Sequence, residues 1–235
     1  MIISEKKPII NQELQNIMKN IPRVFLGDDV HENMEITAAA DTAHYLTRVM
    51  RTNEFLAFGG GREFNATIST DGRRIFIGNV TEHIDPAGDK TLYFAPIKKT
   101  DDLINMATQM GVARFVPVLT DCTAAHHINW ARMRKIAIEA AEQSNRNSVP
   151  EIAEPIKFSD LDLSKIVFAD ERAAHGHDIT TVADADAILV GPEGGFSDAE
   201  FAALDAAGAR GVSLGRTILR AELAAAVAIS RLTKI

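Results

Sequence analysis

Cysteine is almost missing from this 235-residue chain, where Cys122 stands alone. An internal disulfide is therefore impossible, and a zinc site built on cysteines is excluded. Aromatic residues are sparse at 6%, with one Trp and two Tyr. No run approaches the roughly 18 apolar residues that a membrane span needs. The first 20 residues mix Lys, Glu, Asn and Gln with isolated Ile and lack the apolar stretch of a secretory signal. The expectation is a cytoplasmic protein with no membrane partner. Positive charge is not in excess either: the net charge is −7. Residues 1–88 carry 9 Lys and Arg against 12 Asp and Glu, and residues 89–235 carry 16 against 20. A nucleic-acid partner would have to be held by a local basic patch, because phosphate binding depends on clustered Lys and Arg.

What is present is a globular composition, 46% apolar and 24% charged, of a length that suits one large domain or two modest ones. Residues 23–84 read as β-rich. Arg23-Val24-Phe25-Leu26, Phe55-Leu56-Ala57-Phe58, Glu63-Phe64-Asn65-Ala66-Thr67-Ile68 and Arg74-Ile75-Phe76-Ile77 are short runs of strand formers. They are separated by turn signals at Gly27-Asp28-Asp29, Gly59-Gly60-Gly61 and Asp71-Gly72. One helix is expected over residues 41–50, and the short strands suggest a small barrel. Residues 85–89, Asp-Pro-Ala-Gly-Asp, read as a linker.

Beyond that linker strands alternate with helices, the pattern of a largely parallel α/β sheet. Apolar strands are expected at 92–95, 115–119, 166–169, 187–190 and 211–214. Pro117 suggests that the second of these is short or lies at an edge. Thr100 and Asn129 are expected to cap helices. Ser197-Asp198-Ala199-Glu200 has the form of a capping box, and Phe196 and Phe201 flank it as a hydrophobic staple.

Two glycine-marked loops then follow apolar strands: Gly191-Pro192-Glu193-Gly194-Gly195-Phe196, and Leu214-Gly215-Arg216-Thr217-Ile218-Leu219-Arg220. Ligands of open α/β sheets sit outside the carboxyl ends of the strands, so the loops suggest one small-molecule pocket. Neither loop has the Gly-Lys-Ser/Thr of a phosphate loop or a dinucleotide fingerprint. His126 and His127 stand near Cys122, but no further ligand has useful spacing and no metal is expected.

The combination of these two loops, with Ala221-Glu222 after the second, closely resembles the signature of the SPOUT methyltransferases. The nearest resemblance is to the bacterial 16S ribosomal RNA (uracil-N3)-methyltransferase (RsmE) family. Glu142-Gln143-Ser144-Asn145-Arg146-Asn147-Ser148-Val149-Pro150 is similar to a further motif of that family, and residues 44–51 and 58–68 are similar to its N-terminal RNA-binding barrel. The resemblance implies an α/β, SPOUT-type deep trefoil-knot methyltransferase domain over residues 90–235, preceded by a PUA-like β-barrel over 21–86. Residues 1–20 are then an extension. It implies S-adenosylmethionine as cofactor, with Ala169, Leu189, Gly191, Pro192, Glu193, Gly194, Gly195, Leu214, Gly215, Ile218 and Leu219 as binding residues. The partners it implies are 16S rRNA or the assembled small ribosomal subunit, and a second copy of the chain in a homodimer.

Arg220 is the candidate for stabilising a uracil anion, against an ordinary ion pair. Glu222 is a candidate base or orienting group, against a helix-terminal charge. Glu193 is weighed equally between ligand contact and loop bracing. Arg23, Arg48, Arg51, Arg146 and Asn147 are the RNA-binding candidates. Two other readings compete. One is a non-catalytic RNA-binding or assembly factor that keeps the knot. The other is a nucleotide-binding enzyme of ordinary doubly wound topology. The chain departs from the family pattern at Ala221 and Leu223, which replace Thr, at Asn145, which replaces Gly, at Met106 and Gln109, which replace Lys and Glu, and at Asp121-Cys122, which replaces Glu-Arg.

Overall fold

The computed structural model describes residues 21–85, 88–123, 129–172 and 184–232. The chain forms two compact units that divide after His83. The expected extension at 1–20, His126 and His127, and two residues of the expected linker lie outside the described residues.

The first unit is a five-stranded sheet of β1 (Arg23–Phe25), β2 (Glu35–Thr37), β3 (Glu54–Gly59), β4 (Arg62–Ile68) and β5 (Arg74–Val80). Its order is β1-β3-β4-β5-β2, antiparallel except for the β1–β3 pair. β3 and β4 are joined by Gly60-Gly61 alone, with φ of 56° and 77°. A two-residue hairpin whose twist matches its strands needs positive φ at both positions, which glycine adopts without steric cost. Period-two alternation in β4 turns Phe64, Ala66 and Ile68 inward onto Phe55, Ile75 and Leu46. No pairing joins β1 to β2 among the described residues, so the expected barrel is a curled, open sheet. The helix expected over 41–50 is a five-residue α-helical turn, α1 (Ala40–His44), that widens into a π-helical stretch over Tyr45–Met50. It stops at Arg51, in left-handed conformation at φ 53°.

The second unit is built on a parallel sheet. Its elements are β6 (Thr91–Phe94), α2 (Thr100–Gln109), β7 (Arg114–Leu119), α3 (Trp130–Gln143), β8 (Glu151–Ile152), β9 (Ile156–Lys157), β10 (Val167–Ala169), β11 (Ala187–Val190), α4 (Asp198–Ala206), β12 (Arg210–Val212) and α5 (Ala221–Leu232). The strand order is β12-β10-β11-β6-β7-β8, every pair parallel, with β9 also on β7. β11 is thus inserted between β10 and β6. After edge strand β12 the chain returns to pack α5 on β11 and α2.

Alternation along the strands separates two apolar layers. Leu92, Phe94, Val167, Ile188 and Val190 face α2, α3 and α5. Phe168 and Leu189 face the opposite way, onto Phe196 and Leu204 of the α4 side. The layered α/β/α arrangement follows from strands that are apolar on both faces.

Two local expectations are corrected. Thr100 is the first residue of α2 rather than its cap; its hydroxyl donates to the Ile97 carbonyl at 2.8 Å and accepts the Ile97 N–H at 3.0 Å. Pro117 lies inside β7 rather than at a sheet edge. β8 pairs at Arg114 and Phe115 and β9 at Val118 and Leu119, so no partner strand needs a donor from Pro117 on that side. Asn129 does cap α3, accepting the Arg132 N–H at 3.0 Å.

Phe168 is fully buried and meets Phe196 and Phe201 edge-on, at ring-centre distances of 6.1 and 6.3 Å. Phe168→Ala is therefore expected to lower stability by about 3–5 kcal/mol, the usual range for a buried aromatic truncated in a packed core. Denaturant unfolding checks this; a loss under about 1 kcal/mol would mean that the layer collapses around the cavity.

Candidate active site

β12, β10 and β11 are adjacent and parallel, so the loops that leave their carboxyl ends emerge side by side. Between them lies a cavity of about 260 Å³. Asp170 and Glu171 enter it from β10, Gly191, Pro192 and Glu193 from β11, and Leu214, Gly215, Thr217, Ile218 and Leu219 from β12. Arg220, Ala221 and Ala224 close it from the start of α5.

Eight of the expected cofactor residues line this cavity: Ala169, Gly191, Pro192, Glu193, Leu214, Gly215, Ile218 and Leu219. Three do not. Leu189 is fully buried among Phe168, Phe196 and Leu204, and its neighbour Val190 lines the cavity instead. Strand alternation allows only one of the two to face that way. Gly194 backs onto Cys122: a methyl group built on it would sit 3.3 Å from the Cys122 Cβ. Gly195 is a conformational requirement, with φ 71°, and a side chain there would run into the Glu171 carboxylate.

The loop at residues 191–196 is anchored by the helix that follows it. Ser197 accepts the Glu200 N–H at 3.2 Å and Glu200 accepts the Ser197 N–H at 2.9 Å, the reciprocal bonds of the expected capping box. The Phe196 and Phe201 rings lie 5.6 Å apart, closing the staple. Asp170, Glu171 and Thr217 fall in the segment after Phe168 and the loop 214–219, where the family resemblance implies the cofactor, but were not singled out as binding residues. Asp170 and Glu171 directly follow a strand, so the carboxyl-end rule that selected the glycine loops also applied to them.

Asp170 is held by Arg172, whose guanidinium also grips Asp205; contacts run from 2.7 to 3.1 Å. The same guanidinium lies 4.6 Å from the centre of the Phe201 ring. Hydrogen bonds to Asp170 and then Asp205 push the Arg172 pKa well above the usual arginine value, outweighing the opposing effect of burial. Arg172 is thus a permanent cation that fixes one carboxylate at the cavity wall.

The remaining candidates separate by exposure. Arg220 is exposed at the cavity. Glu222 is buried, does not line the cavity, and pairs with Lys99 at 3.5 Å. Arg48 and Arg51 are exposed, beside Val49 and Met50 on the π-helical stretch. Arg23, Arg146 and Asn147 have largely buried side chains that bond within the protein. Arg23 donates to Glu63 at 2.7 Å and lies over the Phe58 ring, with 8% of its side chain exposed. Arg146 donates to the Thr108 and Val112 carbonyls at 2.9 and 2.7 Å, tying the end of α2 to the segment after α3. Burial, partly offset by Asp85, lowers its pKa from the ordinary arginine value. Asn147 is fully buried, and its N–H donates to Asp85 at 2.8 Å. Sequence alone did not separate such arginines from surface ones.

No cluster of three or more metal-ligating side chains occurs among the described residues, and none of their helices is long and apolar enough to cross a membrane.

A cavity of bare backbone, apolar side chains and carboxylates at the carboxyl ends of parallel strands defines a small-molecule site of the α/β class. Residues 85–233 match the RNA methyltransferase domain family. The ribosomal RNA small subunit methyltransferase E of Rickettsia conorii is 34% identical over 229 residues, which cover 89% of this chain and 93% of that protein. The enzyme of the same name from Aquifex aeolicus is 27% identical, covering 88% and 97%. The crystal structure of the Neisseria gonorrhoeae ribosomal RNA small subunit methyltransferase E bound to S-adenosyl methionine superposes with a TM-score of 0.76. It is 25% identical and covers 89% of this chain and 95% of that one. The chain belongs to the ribosomal RNA small subunit methyltransferase E family. The expected SPOUT-type knotted α/β fold with a β-rich N-terminal unit is borne out, with the N-terminal sheet curled rather than closed.

Arg146 is a buried, charged donor to the Val112 carbonyl and a second donor to the Thr108 carbonyl, which also accepts the Gly111 N–H at 3.0 Å, so Arg146→Ala is expected to cost about 1–3 kcal/mol, chiefly at Val112. A thermal midpoint equal to the parent's would contradict the structural role given to this arginine.

Proposed function

We propose that this protein transfers the methyl group of S-adenosylmethionine to N3 of a uracil in small-subunit (16S) ribosomal RNA, free or in the assembled subunit. The observation that carries the reading is the three-loop cavity, in a chain one-third identical over nearly all its length to a named small-subunit rRNA methyltransferase. The cavity chemistry fits the cofactor. Leu214, Ile218 and Leu219 offer apolar surface for a purine, and Asp170, Glu171 and Glu193 offer carboxylates to a ligand that carries a sulfonium and an ammonium.

Bound there, S-adenosylmethionine supplies a methyl group already activated by its sulfonium. The loops fix the donor position through backbone groups that need no rearrangement, and alignment alone can contribute on the order of 7–11 kcal/mol. Arg220, exposed at the cavity, places a cation where loss of the imide proton leaves a uracil anion. Glu222, in the first turn of α5, is read as the group that orients Lys99 at the start of α2, because its pairing takes it away from the cavity. Glu193, exposed in the cavity lining, is read as a ligand contact.

Arg48 and Arg51, with exposed Val49 and Met50 beside them, are the proposed RNA contacts of a PUA-like first unit. A homodimer is the proposed working form; exposed Met106, Met110, Ile218 and Leu223 are the apolar groups available to it. A cytoplasmic location fits an rRNA substrate. The alternative of a non-catalytic assembly factor draws on Ala221, which lines the cavity without the hydroxyl that the family pattern has there.

Mass spectrometry of small-subunit rRNA nucleosides from cells with and without the protein tests the reading. A 3-methyluridine that appears only with the protein is expected. Its absence, with S-adenosylmethionine binding intact, would favour the assembly factor. Arg220→Ala is expected to leave cofactor affinity nearly unchanged and to lower turnover about 10²–10³-fold, as for other anion-stabilising donors; unchanged turnover removes Arg220 from the chemistry. Gly195→Val is expected to abolish cofactor binding, since its side chain combines a strained φ with collision against Glu171. Normal binding by this variant, seen by calorimetry, would defeat the pocket assignment.

A further inference from the structure

The Glu200 carboxylate joins two loops that the cavity lining does not connect. It is buried in the first turn of α4, with both oxygens in use. Oε2 accepts the Ser197 N–H at 2.9 Å, which closes the capping box. Oε1 accepts the Asp121 N–H at 3.0 Å, from a residue 79 positions earlier in the loop that follows β7. Capping does not require this second bond, because one oxygen completes the box. Ser197 adds a third link: its hydroxyl accepts the Glu200 N–H and donates to Asp121 Oδ2 at 2.7 Å. Next to Asp121, Cys122 lies against Gly194. The loop after β7 therefore braces residues 191–196, although neither Asp121 nor Cys122 lines the cavity.

We infer that Asp121, Ser197 and Glu200 form a positioning clamp that holds residues 191–196 in their ligand-ready form before S-adenosylmethionine binds. The inference rests on the cavity being the S-adenosylmethionine site. Gly191, Pro192 and Glu193 line the cavity from a strand-to-helix turn, and a turn that had to become ordered on binding would lose affinity to conformational entropy. Hydrogen bonds from backbone N–H groups to a buried carboxylate are stronger than neutral ones and need no rearrangement. The aromatic staple supports the loop from the core side, and the clamp supports it from the flank. This also accounts for Asp121 where the family pattern has Glu: its shorter side chain still reaches the Ser197 hydroxyl.

Glu200→Gln tests the clamp at constant volume. Two N–H donors converge on this side chain, and a carboxamide has only one oxygen to offer them. Asp121→Ala is the second variant; it removes the acceptor of the Ser197 hydroxyl and leaves the capping box whole, which keeps the test open if Glu200→Gln folds poorly. Each is measured for S-adenosylmethionine affinity by calorimetry, for KM against kcat, and for amide hydrogen exchange over residues 191–197. We expect affinity to fall about tenfold, in line with losing one hydrogen bond to a charged group. KM for S-adenosylmethionine should rise more than kcat falls. Amide hydrogen exchange over residues 191–197 should be several-fold faster without ligand and return toward the parent rate when S-adenosylmethionine is saturating.

Folded variants with parental affinity and parental hydrogen exchange over residues 191–197 would overturn the clamp and leave these residues as a helix cap. A parent protein that fails to bind S-adenosylmethionine would instead overturn the functional reading beneath it. The exchange rate without ligand distinguishes the two failures, because it reports the brace whatever the ligand.

Discussion

Everything at the cavity depends on one constraint: β12, β10 and β11 lie next to one another and run the same way. Three loops separated by tens of residues in sequence are thereby delivered to a single edge of the sheet. The insertion of β11 between β10 and β6, and the return of α5 from the far edge, place the start of that helix across the same opening. No loop forms the cavity by itself. Each supplies a wall whose position is set by backbone pairing and by the two apolar layers on either side of the sheet.

Much of this was legible in the sequence, and unevenly so. The loop at residues 191–196 announced itself through local rules: an apolar strand before it, a capping box behind it and two phenylalanines flanking the cap. All of these interactions form at short sequence separation, which is why pattern reading recovered them. The Gly60-Gly61 hairpin of the first sheet was legible for the same reason, as a two-residue signal, whereas the lack of a β1–β2 pairing that leaves the expected barrel open was not. What sequence reading missed depends on distant partners. Arg23 and Arg146 look like surface arginines until Glu63, Thr108 and Val112 are brought to them by folding. Pro117 reads as an edge marker because the gap between β8 and β9 is set by residues more than thirty positions away. Leu189 and Val190 differ by one step in the alternation, and only the sheet decides which of them meets the ligand space.

The departures from the family pattern also acquire physical meaning. Asn145, standing where glycine is usual, has a φ of 58°, and asparagine is among the few residues that tolerate this left-handed conformation. The substitution therefore keeps the turn that aims Arg146 inward. Ala221 removes a hydroxyl from the cavity wall, whereas Leu223 points outward and adds exposed apolar surface to α5. Met106 does the same on α2. The changes thus alter one wall of the site, the exposed faces of α5 and α2, and the loop after β7 that backs residues 191–196, and leave the glycines of the two cavity loops in place.

The account stands or falls on what the three loops hold. A calorimetric titration of the parent protein with S-adenosylmethionine, run beside one with ATP, tests this most directly. Saturable, one-site binding of S-adenosylmethionine and no measurable binding of ATP are expected. Binding of ATP in preference to S-adenosylmethionine, or of neither, would contradict the account.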